Sequence, residues 1–211
     1  MHKENYLDSI DLSGLCHDDI KDVDIPGLAL LVLDMQDFFI SPGSHAFVPS
    51  SPALIPVIQG LVHSFEEQAL PVIYTRHLNT ASDADMMGRW WRDVITAENP
   101  LSEIHNGFDI SNSRVIEKTQ YDAFYRTTLG DTLEELGVTT VVITGLMTNL
   151  CCETTARSAF VRGYRVFMPI DGTATMNSEL HRATTVNLAH GFADPVSVSA
   201  ILASIRSLNG R

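Results

Sequence analysis

The chain has 211 residues, of which 45% are hydrophobic, so its length fits one ordinary domain that can bury its own core. The 14 Lys and Arg residues stand against 26 Asp and Glu residues, which gives a net charge of −12. A surface this acidic repels phosphate backbones and anionic lipid. We therefore expect neither nucleic acid nor a membrane as a partner.

The cysteine content and the N-terminal residues bear on the compartment. Cys16, Cys151 and Cys152 are odd in number and two of them are neighbours, so no disulfide framework is indicated and free thiols in a reducing compartment are the simpler interpretation. The first residues are charged and lack the apolar region of a secretory signal. The most apolar stretch, Leu28 to Leu33, is too short to span a bilayer. We expect a cytoplasmic protein.

Apolar runs alternate with amphipathic segments along the chain. Residues 1–26 show little periodicity and are expected to form an N-terminal arm before a domain over residues 27–211. Strands are predicted over 28–33, 71–75, 114–117, 139–144, 165–169 and 195–198, and helices over 52–68, 127–136, 150–161, 178–190 and 200–208. This alternation predicts an α/β fold, a three-layer α/β/α domain whose six-stranded, mostly parallel sheet is Rossmann-like with order 3-2-1-4-5-6.

Ligands of such sheets bind at the carboxyl ends of the strands, so polar residues there are candidates for chemistry. Asp34 directly follows the first strand, where partial desolvation would raise its pKa and make it a usable base, although a turn cap is the alternative. Lys118 follows the third strand, although a lone lysine is more often a solvated surface group.

Cys151 begins the helix after the fourth strand. A helix N-terminus lowers the pKa of a thiol, which suits a nucleophile, whereas a small buried hydrophobe is the commonest fate of a free cysteine. Cys152 points about 100° away around the helix and suits that second role better. The preceding turn, Gly145 to Leu150, offers backbone N–H groups that could bind an oxyanion.

Three blocks of this sequence resemble the isochorismatase-like cysteine hydrolases, which include nicotinamidases, carbamoylsarcosine amidases and related amidohydrolases. They are Leu30-Leu-Val-Leu-Asp-Met-Gln-Asp-Phe-Phe39, Glu117-Lys-Thr-Gln-Tyr-Asp-Ala-Phe124 and Thr144-Gly-Leu-Met-Thr-Asn-Leu-Cys-Cys-Glu-Thr-Thr-Ala156. Each block sits at a predicted strand end, the blocks follow the order of the family, and the likeness runs from about residue 27 to about residue 202.

The resemblance implies a catalytic triad in which Cys151 is the nucleophile, Asp34 its base and Lys118 the support of both. It also implies a cis peptide bond between Leu146 and Met147, with the N–H groups of Met147 and Cys151 as the oxyanion hole. The implied reaction is hydrolysis of a C–N bond in a small amide, carbamoyl or imide-like substrate through a thioester, without a cofactor. Members of this family usually form homo-oligomers, so we expect a dimer or a tetramer.

The sequence differs from two groups within this family, and the differences limit which metal content and which reaction we expect. Nicotinamidases add a metal site with an Asp-x-His pair, and no such pair occurs between Asp34 and His77, so we expect no metal and nicotinamide becomes a less favoured substrate. True isochorismatases have glycine where Cys151 stands, so the thiol argues against their vinyl-ether chemistry.

Substrate contacts are predicted for polar and aromatic residues at strand ends and in the long connection 77–113, where the Trp pair would form a pocket wall or lid. These residues are Gln36, Phe39, His77, Trp90, Trp91, Tyr121, Phe124 and Thr148. Core packing or a subunit interface is the alternative for each aromatic.

Alternative functions are an isochorismatase-type hydrolase of another small molecule, or a catalytically silent binding or assembly module on the same fold. No glycine-rich nucleotide-binding motif and no Gly-x-Ser-x-Gly elbow occurs in the sequence, which disfavours other α/β enzymes.

Overall fold

The computed structural model describes Gly14, Cys16, Ile20 and residues 26–111 and 113–207. The predicted N-terminal arm, residues 1–26, lies almost wholly outside the described residues. The strands are β1 Leu28–Leu33, β2 Val72–His77, β3 Arg114–Lys118, β4 Thr140–Leu146, β5 Arg165–Pro169, β6 Thr173–Ala174 and β7 Asp194–Val196. The α-helices are α1 Asp37–Ile40, α2 Ser51–Glu67, α3 Met87–Trp90, α4 Leu129–Glu135, α5 Glu153–Val161, α6 Ser178–Gly191 and α7 Val198–Arg206, and a π-helical turn covers Thr148–Cys152.

The strands form one sheet in the order β3-β2-β1-β4-β5-β7, and each of these pairings between described strands is parallel. The predicted order is therefore confirmed, with β7 as the sixth predicted strand. The sheet gains a seventh strand that the sequence did not indicate, because β6 has two residues and pairs with the end of β4. Two residues are too few for any periodicity to identify.

Layers of helices cover both faces of the sheet, as the alternation in β1 requires. Leu28, Leu30 and Val32 pack on one face with the apolar sides of α2 and α7. Ala29, Leu31 and Leu33 pack on the other face with α4, α5 and α6. A strand buried on both faces reads as a continuous apolar run, which is why β1 was recognisable in the sequence.

Glycines follow the ends of two helices, as the sequence predicts. Gly137 follows α4 with φ +66° and Gly163 follows α5 with φ +90°, the left-handed backbone that favours glycine. The predicted helix over 150–161 begins as the π-helical turn instead and becomes α-helical at Glu153. Among the described residues, no helix is both long enough and apolar enough to cross a membrane.

The change of direction in the strand order falls between β1 and β4, and this is where an open α/β sheet leaves a crevice for a ligand. The two strands approach closely there. Gly145 pairs with Leu33 and has φ +104°, and a Cβ at Gly145 would lie 2.1 Å from the Leu33 carbonyl oxygen. Glycine is therefore required at this position, and the turn that follows β4 starts beside the residue that follows β1.

Candidate active site

Three strand ends bring Asp34, Lys118 and Cys151 together in the interior. Lys118 Nζ lies 2.7 Å from Asp34 Oδ2 and 3.3 Å from Cys151 Sγ. Asp34 is fully buried, and Lys118 and Cys151 expose 2% and 6% of their surfaces. The sequence placed these side chains at neighbouring strand ends, and the structure brings all three into mutual contact.

Thr75 of β2 holds the Asp34 carboxylate from the side opposite the lysine. The Asp34 backbone N–H donates to Thr75 Oγ1 at 3.1 Å, and the Thr75 hydroxyl donates in turn to Asp34 Oδ1 at 2.6 Å. Asp34 has φ +50°, in the left-handed region, which is uncommon for residues other than glycine. Oδ1 is thus bound to Thr75, while Oδ2 forms the ion pair with Lys118.

Opposite charges offset the burial of the two ionised groups. Burial alone raises the pKa of Asp34, but the Lys118 ammonium holds that pKa below its ordinary value. Burial alone lowers the pKa of Lys118, but Asp34 raises it above its ordinary value. The pair is therefore a carboxylate and an ammonium at neutral pH. The predicted rise in the pKa of Asp34 is not found, because Lys118, His77 and the hydrogen bond from Cys151 together outweigh desolvation.

The Cys151 thiol differs from the expectation for a helix N-terminus. Its burial, and then the neighbouring Asp34 carboxylate, raise the pKa of Cys151 well above the usual thiol range, while Lys118 opposes this rise. The helix effect we expected is smaller than the desolvation of this buried thiol. The resting group is consequently a thiol beside a carboxylate that can accept its proton.

The turn from β4 to the thiol has the conformation that the resemblance implied. The Leu146–Met147 peptide bond is cis. The Met147 carbonyl accepts hydrogen bonds from the N–H groups of Leu150 at 3.0 Å and Cys152 at 3.2 Å, and so binds the π-helical turn that carries Cys151. Cys152 is fully buried in the core layer of α4, α5 and α6, as its position on the helix predicted.

A cavity of about 240 Å³ opens onto the thiol. Its walls combine aromatic and aliphatic side chains with a few polar ones, the usual composition of a small-molecule site. The lining residues are Phe38, Phe39, His45, Ala46, His77, Asn79, Met87, Trp91, Arg92, Asp93, Val94, Ile95, Tyr121, Met147, Leu150, Cys151 and Met176.

Four of the predicted substrate residues line this cavity: Phe39, His77, Trp91 and Tyr121. Trp91 Nε1–H donates a hydrogen bond to the Tyr121 hydroxyl at 2.6 Å, which joins the long connection to the loop after β3 and closes one wall. The connection thus supplies part of the pocket, as its length suggested.

The structure does not bring Gln36, Trp90, Phe124 or Thr148 to the cavity wall. Gln36 is fully buried and donates to the Ser102 carbonyl at 2.7 Å, so its amide fixes the connection to the end of β1. Trp90 is 74% exposed, because the turn of α3 directs it away from its neighbour.

The remaining two residues support the fold around the site. Phe124 packs in the core and stacks on Tyr164, with ring centroids 5.9 Å apart. The Thr148 hydroxyl lies 3.0 Å from His181 Nδ1 and is fully buried in the π-helical turn. Strand-end position alone cannot separate such residues from those that face a ligand.

Several cavity residues were absent from the sequence-based prediction. His45, Asp93 and Met176 belong to three loops, and no periodicity or motif indicates which loop side chains point inward. The position of Asn79 did carry a signal, because it follows the strand-end residue His77 by two positions.

Asp34, His77 and Cys151 each offer one ligand atom, and these atoms lie within 4.8 Å of one another, as in a metal site. However, the Lys118 ammonium lies among them, 2.7 Å from Asp34 Oδ2 and 3.3 Å from His77 Nδ1. A bound cation would have to share this space with a fixed positive charge. The residues present therefore do not fit a metal ion, and the absence of a metal stays a prediction.

Comparison with known proteins identifies the family. The Isochorismatase domain matches residues 28–200. Nicotinamidase 3 from Arabidopsis thaliana is 40% identical over 173 residues, which are 78% of this chain and 82% of that protein. Streptothricin hydrolase from Streptomyces noursei is 32% identical over 71% of this chain and 55% of its own length, so the chain spans about half of that relative.

Solved structures agree with this result. A cysteine hydrolase from Pseudomonas syringae pv. phaseolicola superimposes with a TM-score of 0.81 at 25% identity and covers 88% of this chain and 95% of its own. N-carbamoylsarcosine amidase from Thermoplasma acidophilum gives a TM-score of 0.70 at 25% identity over 81% and 96% of the two chains. The resemblance found in the sequence is confirmed: the chain belongs to the isochorismatase family and is a hydrolase.

Proposed function

We propose that this enzyme hydrolyses the C–N bond of a small amide, carbamoyl or imide-like substrate through a triad of Cys151, Asp34 and Lys118. The observation that carries the proposal is the contact of the Lys118 ammonium with the other two side chains, one of which, Cys151, lines the cavity: the ammonium lies 2.7 Å from the carboxylate and 3.3 Å from the sulfur. Relatives named as a nicotinamidase and an N-carbamoylsarcosine amidase support the C–N bond as the target.

The first half of the reaction forms a thioester. Asp34 accepts the thiol proton as Cys151 Sγ attacks the substrate carbonyl carbon, and the carbonyl electron pair moves onto oxygen. The backbone N–H groups of Met147 and Cys151 stabilise this oxyanion. When the carbonyl reforms, the C–N bond breaks and the nitrogen takes the proton from Asp34, so ammonia or an amine leaves neutral.

The second half restores the enzyme. Asp34 takes a proton from water, the hydroxide attacks the thioester carbonyl, and the C–S bond breaks. The sulfur recovers the proton from Asp34, and a carboxylic or carbamic acid leaves. Lys118 keeps its proton throughout, and its charge stabilises the Asp34 carboxylate and the sulfur anion in turn.

Thiol labelling tests the triad without knowledge of the substrate. Native protein is treated with iodoacetamide near neutral pH and the adducts are mapped by mass spectrometry. We expect Cys151 to label ahead of Cys152, because Cys151 lines the cavity whereas Cys152 is sealed in the core. Asp34→Asn should slow this labelling, since the thiol then lacks its proton acceptor, and Cys152→Ala should leave it unchanged. Faster labelling in Asp34→Asn would mean that the carboxylate acts only by raising the pKa of Cys151, and would refute its role as the base. Equal, slow labelling of both thiols would refute the proposal.

A release assay for ammonia then tests the reaction. The panel contains nicotinamide, other small aromatic and aliphatic amides, ureas, carbamoyl amino acids and cyclic imides, and Cys151→Ala is the matched control. Turnover of any member by the wild type and not by the variant supports C–N hydrolysis. A reactive Cys151 with no turnover across the panel favours the silent binding module instead.

A further inference from the structure

The side-chain amide of Asn79, next to the triad, has its orientation fixed by its neighbours. Asn79 Nδ2 lies 3.0 Å from Asp83 Oδ1 and 3.0 Å from the Thr119 carbonyl oxygen, and both of these atoms accept hydrogen bonds. The amide nitrogen supplies the two donors that they need. Asn79 Oδ1, an acceptor, is therefore the atom that faces His77 Nε2 at 2.9 Å.

This acceptor determines the tautomer of His77. Nε2 must carry a proton to donate to Asn79 Oδ1, so Nδ1 of the neutral ring has a free lone pair. Burial, and then the Lys118 charge, lower the pKa of His77 to about 4, whereas Asp34 and Asp83 oppose this shift. The ring is therefore neutral at physiological pH, and Nδ1 is an acceptor inside the site.

The Lys118 ammonium has three N–H groups and four nearby acceptors. Asp34 Oδ2 at 2.7 Å and the Gln120 carbonyl at 2.9 Å take two of them. His77 Nδ1 and Cys151 Sγ both lie at 3.3 Å and compete for the third. A thiol sulfur is a weak acceptor, so the imidazole is the better partner while Cys151 is protonated.

We propose that His77 is a positioning residue that holds Lys118 through Nδ1, and that Asn79 locks its ring in the tautomer able to do so. The inference rests on the proposed role of Lys118 and goes beyond the triad. In the resting enzyme His77 binds the third N–H of the ammonium. As the thiol proton moves to Asp34, the developing sulfur anion becomes the stronger acceptor and that N–H turns to it. The position of Lys118 is thus the same before and after the thiol proton moves to Asp34.

The tautomer is tested directly by NMR of protein labelled with ¹⁵N in its eight histidines. The His77 ring signals are assigned by their loss in His77→Asn. We expect a protonated Nε2 and an unprotonated Nδ1 at neutral pH, and a mixture of tautomers in Asn79→Leu, which keeps the side-chain size but removes the acceptor. An Nδ1–H ring or an imidazolium in the wild type would overturn the proposal, as would an unchanged ring in Asn79→Leu.

The positioning role is tested with p-nitrophenyl acetate, an activated ester that acylates a reactive thiol and releases a coloured product. His77→Asn keeps an acceptor oxygen near the Nδ1 position, whereas His77→Leu has similar bulk and no acceptor. We expect the limiting acylation rate to fall by about 10- to 100-fold in His77→Leu, and to recover most of the loss in His77→Asn.

If His77 only lined the cavity, substitution would change the kinetics in a different way. The half-saturating ester concentration would then rise in both variants while the limiting rate stayed at the wild-type value, and this result would refute the inference.

Failure of this inference can be distinguished from failure of the proposed function. Preferential labelling of Cys151 that Asp34→Asn slows, together with the wrong His77 tautomer, overturns this inference alone. Unselective labelling of the thiols overturns the triad whatever the tautomer.

Discussion

Replacing Lys118 with Met removes the charge that makes the buried carboxylate tolerable, while the side chain keeps its length. In the wild type Asp34 and Lys118 form an ion pair at 2.7 Å, with both side chains wholly shielded from solvent. Breaking such a pair leaves an uncompensated buried charge, which costs about 3–5 kcal/mol of stability. That cost is a large fraction of the 5–15 kcal/mol or so by which a domain is usually stable.

The stability of the variant should depend on pH between about 5 and about 8, whereas the ion pair gives the wild type no such dependence. The pKa of Asp34 is lowered in the folded wild type, so its contribution is present above the ordinary carboxyl pKa and is lost only as pH falls through the lower folded value. The raised pKa of Lys118 keeps its contribution at all pH values below its ordinary pKa, and that contribution is lost only as pH rises through the higher folded value. In Lys118→Met the largest contribution that opposes the burial of Asp34 is lost and its pKa rises, so the variant regains stability as pH falls from about 8 to about 5.

Urea denaturation at fixed protein concentration measures these differences, and the double variant Lys118→Met/Asp34→Asn supplies the control. The neutral amide needs no counter-ion, so the double variant should be more stable than Lys118→Met alone by about 2 kcal/mol or more near pH 8. A Lys118→Met cost below about 1 kcal/mol, a cost independent of pH, or additive effects in the double variant would refute a buried ion pair at the centre of the site.

Further predictions concern the approach of β1 and β4, the pocket wall and the base. Gly145→Ala should destabilise the protein by about 3 kcal/mol or more in urea denaturation, because its Cβ would meet a backbone oxygen at 2.1 Å. Gly60→Ala in α2 is the control: a Cβ there has nothing within 4 Å and should stabilise the protein by about 0.5–1 kcal/mol. Trp91→Phe keeps an aromatic ring but loses the 2.6 Å bond to Tyr121, so KM should rise with kcat little changed, and a fall confined to kcat would contradict a wall role. Since the pKa of Asp34 is lowered, the acid limb of kcat/KM should lie below the ordinary pKa of 3.8, and a limb near neutrality would exclude Asp34 as the ionised base.

The parts of the fold that the sequence predicts are those in which one periodicity dominates. β1 and β4 are fully buried, so their apolar runs identify them, and β1 fixes the position of Asp34 at the sheet edge. The two-residue β6 and the four-residue α3 are set by tertiary contacts and leave no comparable pattern. The long strands were therefore predictable from the sequence, whereas the short elements that surround the cavity were not.

The candidate site divides in the same way. Asp34, Lys118 and Cys151 lie at or beyond the ends of three neighbouring strands, so chain position made them candidates. The resemblance to the family was needed to combine them into a triad. Trp90 and Trp91 were indistinguishable in the sequence, yet one is 74% exposed and the other lines the cavity. The direction of a loop side chain depends on contacts such as the bond from Trp91 to Tyr121, and one sequence does not contain that information.

The charge balance of the buried site favours a particular order of events in the proposed reaction. With Asp34 as a carboxylate, Lys118 as an ammonium and Cys151 as a thiol, the site is neutral overall. Loss of the thiol proton to solvent would leave a net negative charge where water is excluded, which is costly. Transfer of the same proton to Asp34 keeps the site neutral. The anion that pairs with Lys118 is then the Cys151 sulfur instead of the Asp34 carboxylate. The thiolate should therefore form as the substrate is attacked rather than beforehand, and a resting Cys151 that is already ionised near neutral pH would contradict this order.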